Sequence, residues 1–213
     1  MSNTTVTNRR RSWLELGAVS LTGLLFLGFV SVGGKGLFIG LASLCWIGYV
    51  LWRIRQNSGL WVTWGFHAKN LKEAFFWPTI IFVTGVVLMA WYGTTNGSML
   101  WSEHILVLLF LYPLWGILQQ FLVQALGVAN LVILFPKQGL VVALPVGMIL
   151  FSLVHYPDGW RLMVATGIMA WLFIPCYLRD RNLWPLGLYH GWLGTFFYLW
   201  VLGRDPWVDI FGK

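Results

Sequence analysis

Apolar residues run almost unbroken over residues 13–32, 36–52, 77–93, 104–127, 138–155, 161–178 and 184–203. A helix needs about 17–25 mostly apolar residues to cross a bilayer. Each of these seven runs therefore predicts a transmembrane helix, and together they predict an all-α polytopic bundle. Between the second and third runs the pattern changes. Leu60, Trp64, His67, Leu71 and Phe75 recur at helical spacing, while Lys69, Lys72 and Glu73 fall largely elsewhere on the wheel. That periodicity predicts an amphipathic helix lying on the membrane surface, with His67 as an interfacial side chain. Gly36 and Gly40 open the second run with a small-residue pair that permits close helix contact, without specifying a dimer. The pattern divides the chain into an N-terminal tail with two spans (1–58), a helical membrane domain (59–203) and a short C-terminal tail (204–213).

Composition sharpens this picture. The chain has 213 residues, 58% hydrophobic and 10% charged, against a charged share of about 25% in an ordinary soluble domain. Fifteen tryptophans and fifteen phenylalanines add an aromatic excess of the kind found at membrane interfaces. The net charge of +7 does not point to nucleic acid, because the basic residues sit at the ends of apolar runs and form no stripe with stacking aromatics. Threading seven spans from a cytoplasmic N-terminus places Arg9, Arg10, Arg11, Arg53, Arg55, Lys69, Lys72, Lys137, Arg179 and Arg181 inside. It leaves Lys35, Arg161, Arg204 and Lys213 outside, so the N-terminus is expected in the cytoplasm and the C-terminus on the opposite side. Arg9-Arg10-Arg11 before an apolar run has the look of a signal peptide. However, the run is longer than an h-region and no A-x-A site follows, so it reads as a retained first span. Cys45 and Cys176 lie in separate apolar runs without a CxxC partner and read as buried small hydrophobes.

Polar groups inside spans are the functional candidates, because they are costly there. The stretch ILQQFLVQ puts Gln119, Gln120 and Gln124 in one of the most apolar parts of the chain, and His155 and His190 end or interrupt two later spans. An amide moved into hydrocarbon without a partner costs roughly 2–7 kcal/mol. The glutamines are therefore expected to hydrogen-bond across the bundle. Threading leaves His155 on the order of 10 Å from the level of Gln119, Gln120 and His190, at 1.5 Å per residue. A break of the fifth span at Pro145 would reconcile them.

The order of these residues carries a resemblance. The polar pair is followed by Phe151-Ser-Leu-Val-His155, then by Arg179-Asp-Arg-Asn-Leu-Trp-Pro, then by His190-Gly-Trp-Leu-Gly194. Over roughly residues 60–203 this resembles the CPBP (Abi) intramembrane proteases, which include the type II CAAX prenyl endopeptidases and bacteriocin-processing proteins. The family pattern runs E-E-x-x-x-R, F-x-x-x-H and H-x-x-x-N or a small residue. The resemblance implies a site at Gln119, Gln120, Gln124, His155, His190 and Gly194. In the family a glutamate and the histidines activate a water for attack on a peptide carbonyl. Here Gln119, Gln120 and Gln124 stand where the family has Glu, Glu and Arg, and Gly194 stands where many members have Asn. A carboxamide cannot act as a general base and is a poor metal ligand.

These departures imply a degenerate member without peptidase activity, a pseudoprotease acting as a binding, assembly or structural subunit. Its expected partners are the bilayer and other membrane proteins or a transmembrane substrate helix, not nucleic acid. The alternative is an active intramembrane endopeptidase, rebuilt around another base such as Asp158, in which His155 and His190 would hold a zinc ion. A third reading makes the same two histidines axial ligands to haem or a chlorophyll-type pigment. Otherwise no cofactor is expected.

Overall fold

The computed structural model describes residues 3–212. Its helices are α1 (Asn3–Ser31), α2 (Lys35–Gln56), α3 (Leu60–Thr63), α4 (Leu71–Thr95), α5 (Ile105–Gln120), α6 (Ala129–Leu134), α7 (Leu140–Leu153), α8 (Trp160–Asp180), α9 (Trp184–Phe196) and α10 (Pro206–Phe211). No strand occurs among the described residues, as the all-α expectation requires. Two stretches are π-helical: Phe121–Val128 joins α5 to α6, and Phe197–Val201 continues α9.

Five helical segments among the described residues are long and apolar enough to cross a bilayer: Arg9–Ser31, Lys35–Gln56, Leu71–Thr95, Ile105–Leu134 and Trp160–Asp180. The sixth expected span is the apolar but short α7, with 14 residues. At 1.5 Å per residue it covers about 21 Å of a hydrocarbon core about 30 Å thick. The last expected span, α9 with its π-helical end, is not among these segments; it is less apolar, carrying His190, several tryptophans and tyrosines, and the separated glycines Gly187, Gly191 and Gly194.

The expected surface helix is absent as such. Only one turn, α3, forms at its start. Gly65 then takes a left-handed φ of +104°. Helical periodicity cannot continue through that backbone geometry, and it is one that glycine accepts without a Cβ clash. Trp64 and Phe66 turn inward, where both pack against the Phe121 ring at 5.1 and 5.9 Å between centroids. Lys72 and Glu73 fall in the first turn of α4, the third apolar run, rather than on a separate helix.

The described residues form two compact units. The first combines the chain up to Phe66 with Phe121–Arg181, and its helices α1 with α6 and α7 with α8 pack pairwise. The second combines His67–Gln120 with the chain from Asn182 onward. Its centre is α9, packed against α5 and α4, with a core of Met89, Leu108, Leu199, Trp200 and Val201. The 30-residue helical segment Ile105–Leu134 carries the division between Gln120 and Phe121.

Candidate functional site

The second unit brings Gln120 and His190 together. The sequence achieves this with glycine. A Cβ on Gly116 would lie 2.4 Å from the Gly187 carbonyl oxygen, and one on Gly191 would lie 2.5 Å from Pro113 Cα. A Cβ on Gly187 would lie 2.6 Å from Ile117 Cα. The backbones of α5 and α9 therefore touch, as small residues allow in membrane helices. Pro113 contributes in a second way. It has no N–H to give the Leu109 carbonyl one turn back. That acceptor takes the Trp192 indole N–H of α9 instead, at 2.8 Å.

One turn beyond Gly116 on α5 comes Gln120, and one residue before Gly191 on α9 comes His190. Both are buried, and Gln120 Nε2 lies 3.2 Å from His190 Nδ1. An amide NH2 only donates, so Nδ1 accepts and the neutral ring carries its proton on Nε2. A carboxylate in the same place would accept from Nδ1–H and leave the lone pair on Nε2. An amide in this place offers no oxygen basic enough to take a proton near neutral pH. Tyr189, next to His190, is fixed by a 2.8 Å hydrogen bond with Thr79 and stacks on Phe82 at 4.7 Å. Upstream, the buried Asn182 donates to the His67 carbonyl and to Asn70 Oδ1, each at 3.0 Å. Its own oxygen accepts the Trp184 N–H at 3.1 Å, so the start of α9 is pinned to the 67–70 loop.

The other predicted positions fall as follows. Gln119, also in the second unit, is half-buried at the end of α5. Gly194 faces Tyr112, whose Cε1 would lie 3.0 Å from a Cβ there. Any side chain there would require a small shift of the Tyr112 ring.

Gln124 and His155 belong to the first unit. Gln124 is fully buried within the π-helical stretch. His155 lies beyond α7, at the start of a single 3₁₀ turn, Tyr156–Asp158. The helix is continuous through Pro145, so the expected break does not occur. The imidazole leaves the helix because α7 stops at Leu153. His155 Nδ1 donates to the Phe151 carbonyl at 2.8 Å, which leaves the lone pair on Nε2. Asp158, the candidate replacement base, is held by Lys35 Nζ at 2.7 Å.

Sequence reasoning missed a buried charged cluster in the first unit. The predicted first span begins at residue 13, which sets Glu15 near its edge, but α1 begins at Asn3 and places Glu15 well inside the helix. The Glu15 carboxylate is buried, accepts from Tyr49 Oη at 2.5 Å and from Asn130 Nδ2 at 2.8 Å, and lies 3.6 Å from the buried Arg53 guanidinium. Arg53 Nε also donates to Tyr49 Oη at 3.2 Å. The available signal was the antiparallel pairing of the first two spans, which sets residue 15 level with residues 49 and 53.

Among the described residues no three His, Cys, Asp or Glu side chains converge as a metal site requires, and the position next to His190 holds an amide.

Residues 101–196 match the family model described as Rce1-like, type II CAAX prenyl endopeptidase Rce1-like. No curated protein and no solved structure matches the chain. The matched stretch runs from before Gln119 to beyond Gly194 and takes in all six motif positions, in agreement with the CPBP resemblance. Residues 101–196, a little under half of the chain, are thus similar to the Rce1-like membrane proteases, and the long apolar helices mark an integral membrane protein.

Proposed function

We propose that this protein is a pseudoprotease of the CPBP type. It keeps the helical frame of an intramembrane endopeptidase and uses it to bind a transmembrane segment of another membrane protein, as an assembly or structural subunit. The N-terminus faces the cytoplasm in this reading, because the basic residues crowd that side. One observation carries the proposal: the buried partner of His190 is the Gln120 carboxamide, 3.2 Å away. General-base activation of water needs a group that takes a proton near neutral pH, and an amide does not.

The test is direct. The purified full chain is incubated in detergent with a prenylated CAAX peptide and with a leader-bearing peptide, and cleavage is followed by mass spectrometry. No cleavage is expected. Cleavage abolished by His155→Ala or His190→Ala would overturn the proposal. Gln120→Glu, alone or with Gln119→Glu, restores the missing carboxylate. Cleavage appearing only in those variants would identify the amide as the inactivating change.

One observation favours the second reading, an active endopeptidase. His155 Nδ1 donates to a carbonyl, which leaves Nε2 as a competent proton acceptor. In that case His155→Ala would remove activity that the wild type shows.

A further inference from the structure

We propose that one end of the first unit is a binding site for the phosphate headgroups of anionic phospholipids. The site is a collar of exposed cations. Arg9, Arg10 and Arg11 lie on the first turns of α1, Arg55 on the last turn of α2, and Lys137 in the turn after α6, and all five are exposed. Three contacts gather them at one end. Glu15 meets Tyr49 and Arg53, which brings the start of α1 level with the end of α2. Arg9 Nη2 lies 3.5 Å from the Leu134 carbonyl, and Trp13 packs edge-on against Phe135 at 6.1 Å, which brings the 135–139 turn alongside.

The acids of this unit leave the collar unneutralised. Glu15 is buried and faces Arg53, Asp158 is taken by Lys35, and Asp180 is taken by Arg179. A band of exposed apolar and indole side chains adjoins the cations: Trp13, Leu14, Leu51 and Trp52. Tryptophan at this level sits among headgroups and acyl carbonyls, and cations just beyond it meet phosphates. The arrangement therefore suits a lipid, with chains along α1 and α2 and phosphate at the arginines, better than a soluble anion.

The test uses the full chain in nanodiscs of equal phosphatidylglycerol and phosphatidylcholine, released for native mass spectrometry. Retained phosphatidylglycerol should exceed phosphatidylcholine by roughly tenfold or more. Neutralising the exposed cations together (Arg10→Gln, Arg11→Gln, Arg55→Gln) should bring the ratio to near one. Arg161→Gln, which removes a cation elsewhere in the unit, should leave it unchanged. The wild-type preference should also shrink as salt rises, a readout that requires no variant to fold. Equal retention of both lipids, a preference that survives the triple substitution, or displacement of the lipid by millimolar inorganic phosphate would each overturn the proposal.

Discussion

The α5–α9 seam and the Glu15 cluster both bury polar side chains, and they do it with opposite chemistry. At the seam Gln120 meets His190, and two touching backbones hold the pair in place. At the cluster the carboxylate and guanidinium are charged, and a tyrosine and an asparagine supply the bonds that a lone ion pair would lack. No carboxylate or guanidinium enters the seam pair, whereas both meet at the cluster that joins α1 and α2. The difference teaches that burying an ion says little about chemistry. A buried pair that satisfies its own bonds is an architectural joint, whereas a catalytic acid must keep capacity for a substrate.

Substitution should separate the two regions most sharply at Glu15. Glu15→Ala leaves the buried Arg53 charge without its carboxylate, and removing one partner of a buried pair costs about 3–5 kcal/mol. Thermal unfolding in detergent should fall steeply. The double change Glu15→Gln with Arg53→Met should recover most of the loss. If the single variant unfolds like the wild type, the cluster is no joint.

At the seam the expected effects come from volume and from single hydrogen bonds. Gly191→Ala drives a Cβ into Pro113 and should cost about 1–3 kcal/mol, read from the same melt. Trp192→Phe strands the Leu109 carbonyl and should also cost about 1–3 kcal/mol. Gln120→Leu removes one interhelical hydrogen bond, worth about 0.6–2 kcal/mol. A loss from Gln120→Leu larger than that from Glu15→Ala would reverse the comparison.

The smallest effect is a pH dependence in the second unit. Burial alone would raise the Asp205 pKa. Hydrogen bonds from Ser102, His104 and the Trp207 N–H more than offset this and hold it below the ordinary carboxylate value. A depressed folded pKa contributes stability above the unfolded carboxylate value, about 3.9, and that contribution disappears as pH falls through the folded pKa. The unfolding midpoint of the wild type should therefore drop faster than that of Asp205→Asn below about pH 4. Parallel curves would remove Asp205 as a contributor.

Much of the fold was legible because apolar length is a direct readout of membrane crossing. The runs at 13–32, 36–52, 77–93, 104–127 and 161–178 each fall within or almost wholly within a long helix. The failures have local causes. Leu60 to Phe75 kept helical spacing, but spacing does not register a left-handed glycine at 65 or the pull of Phe121 on Trp64 and Phe66. Pro145 suggested a break, and the helix absorbed it. The π-helical turns at Phe121–Val128 have no period that single-sequence reading looks for, although such turns often lie at functional sites. At the candidate site, motif order named Gln120 and His190, but only geometry assigned the imidazole proton. Glu15 lies near the edge of the apolar run that starts at residue 13, and the polar stretch before it, NTTVTNRRRS, gives no sign that α1 has already begun.

The glycine-paved contact also sets a mechanical limit. Two helices whose main chains already touch can neither slide past one another nor part a little, because no cushion of side chains exists to deform. In the second unit α5 and α9 therefore behave as one rigid pair. Any change that separated Gln120 from His190 would have to break that contact first.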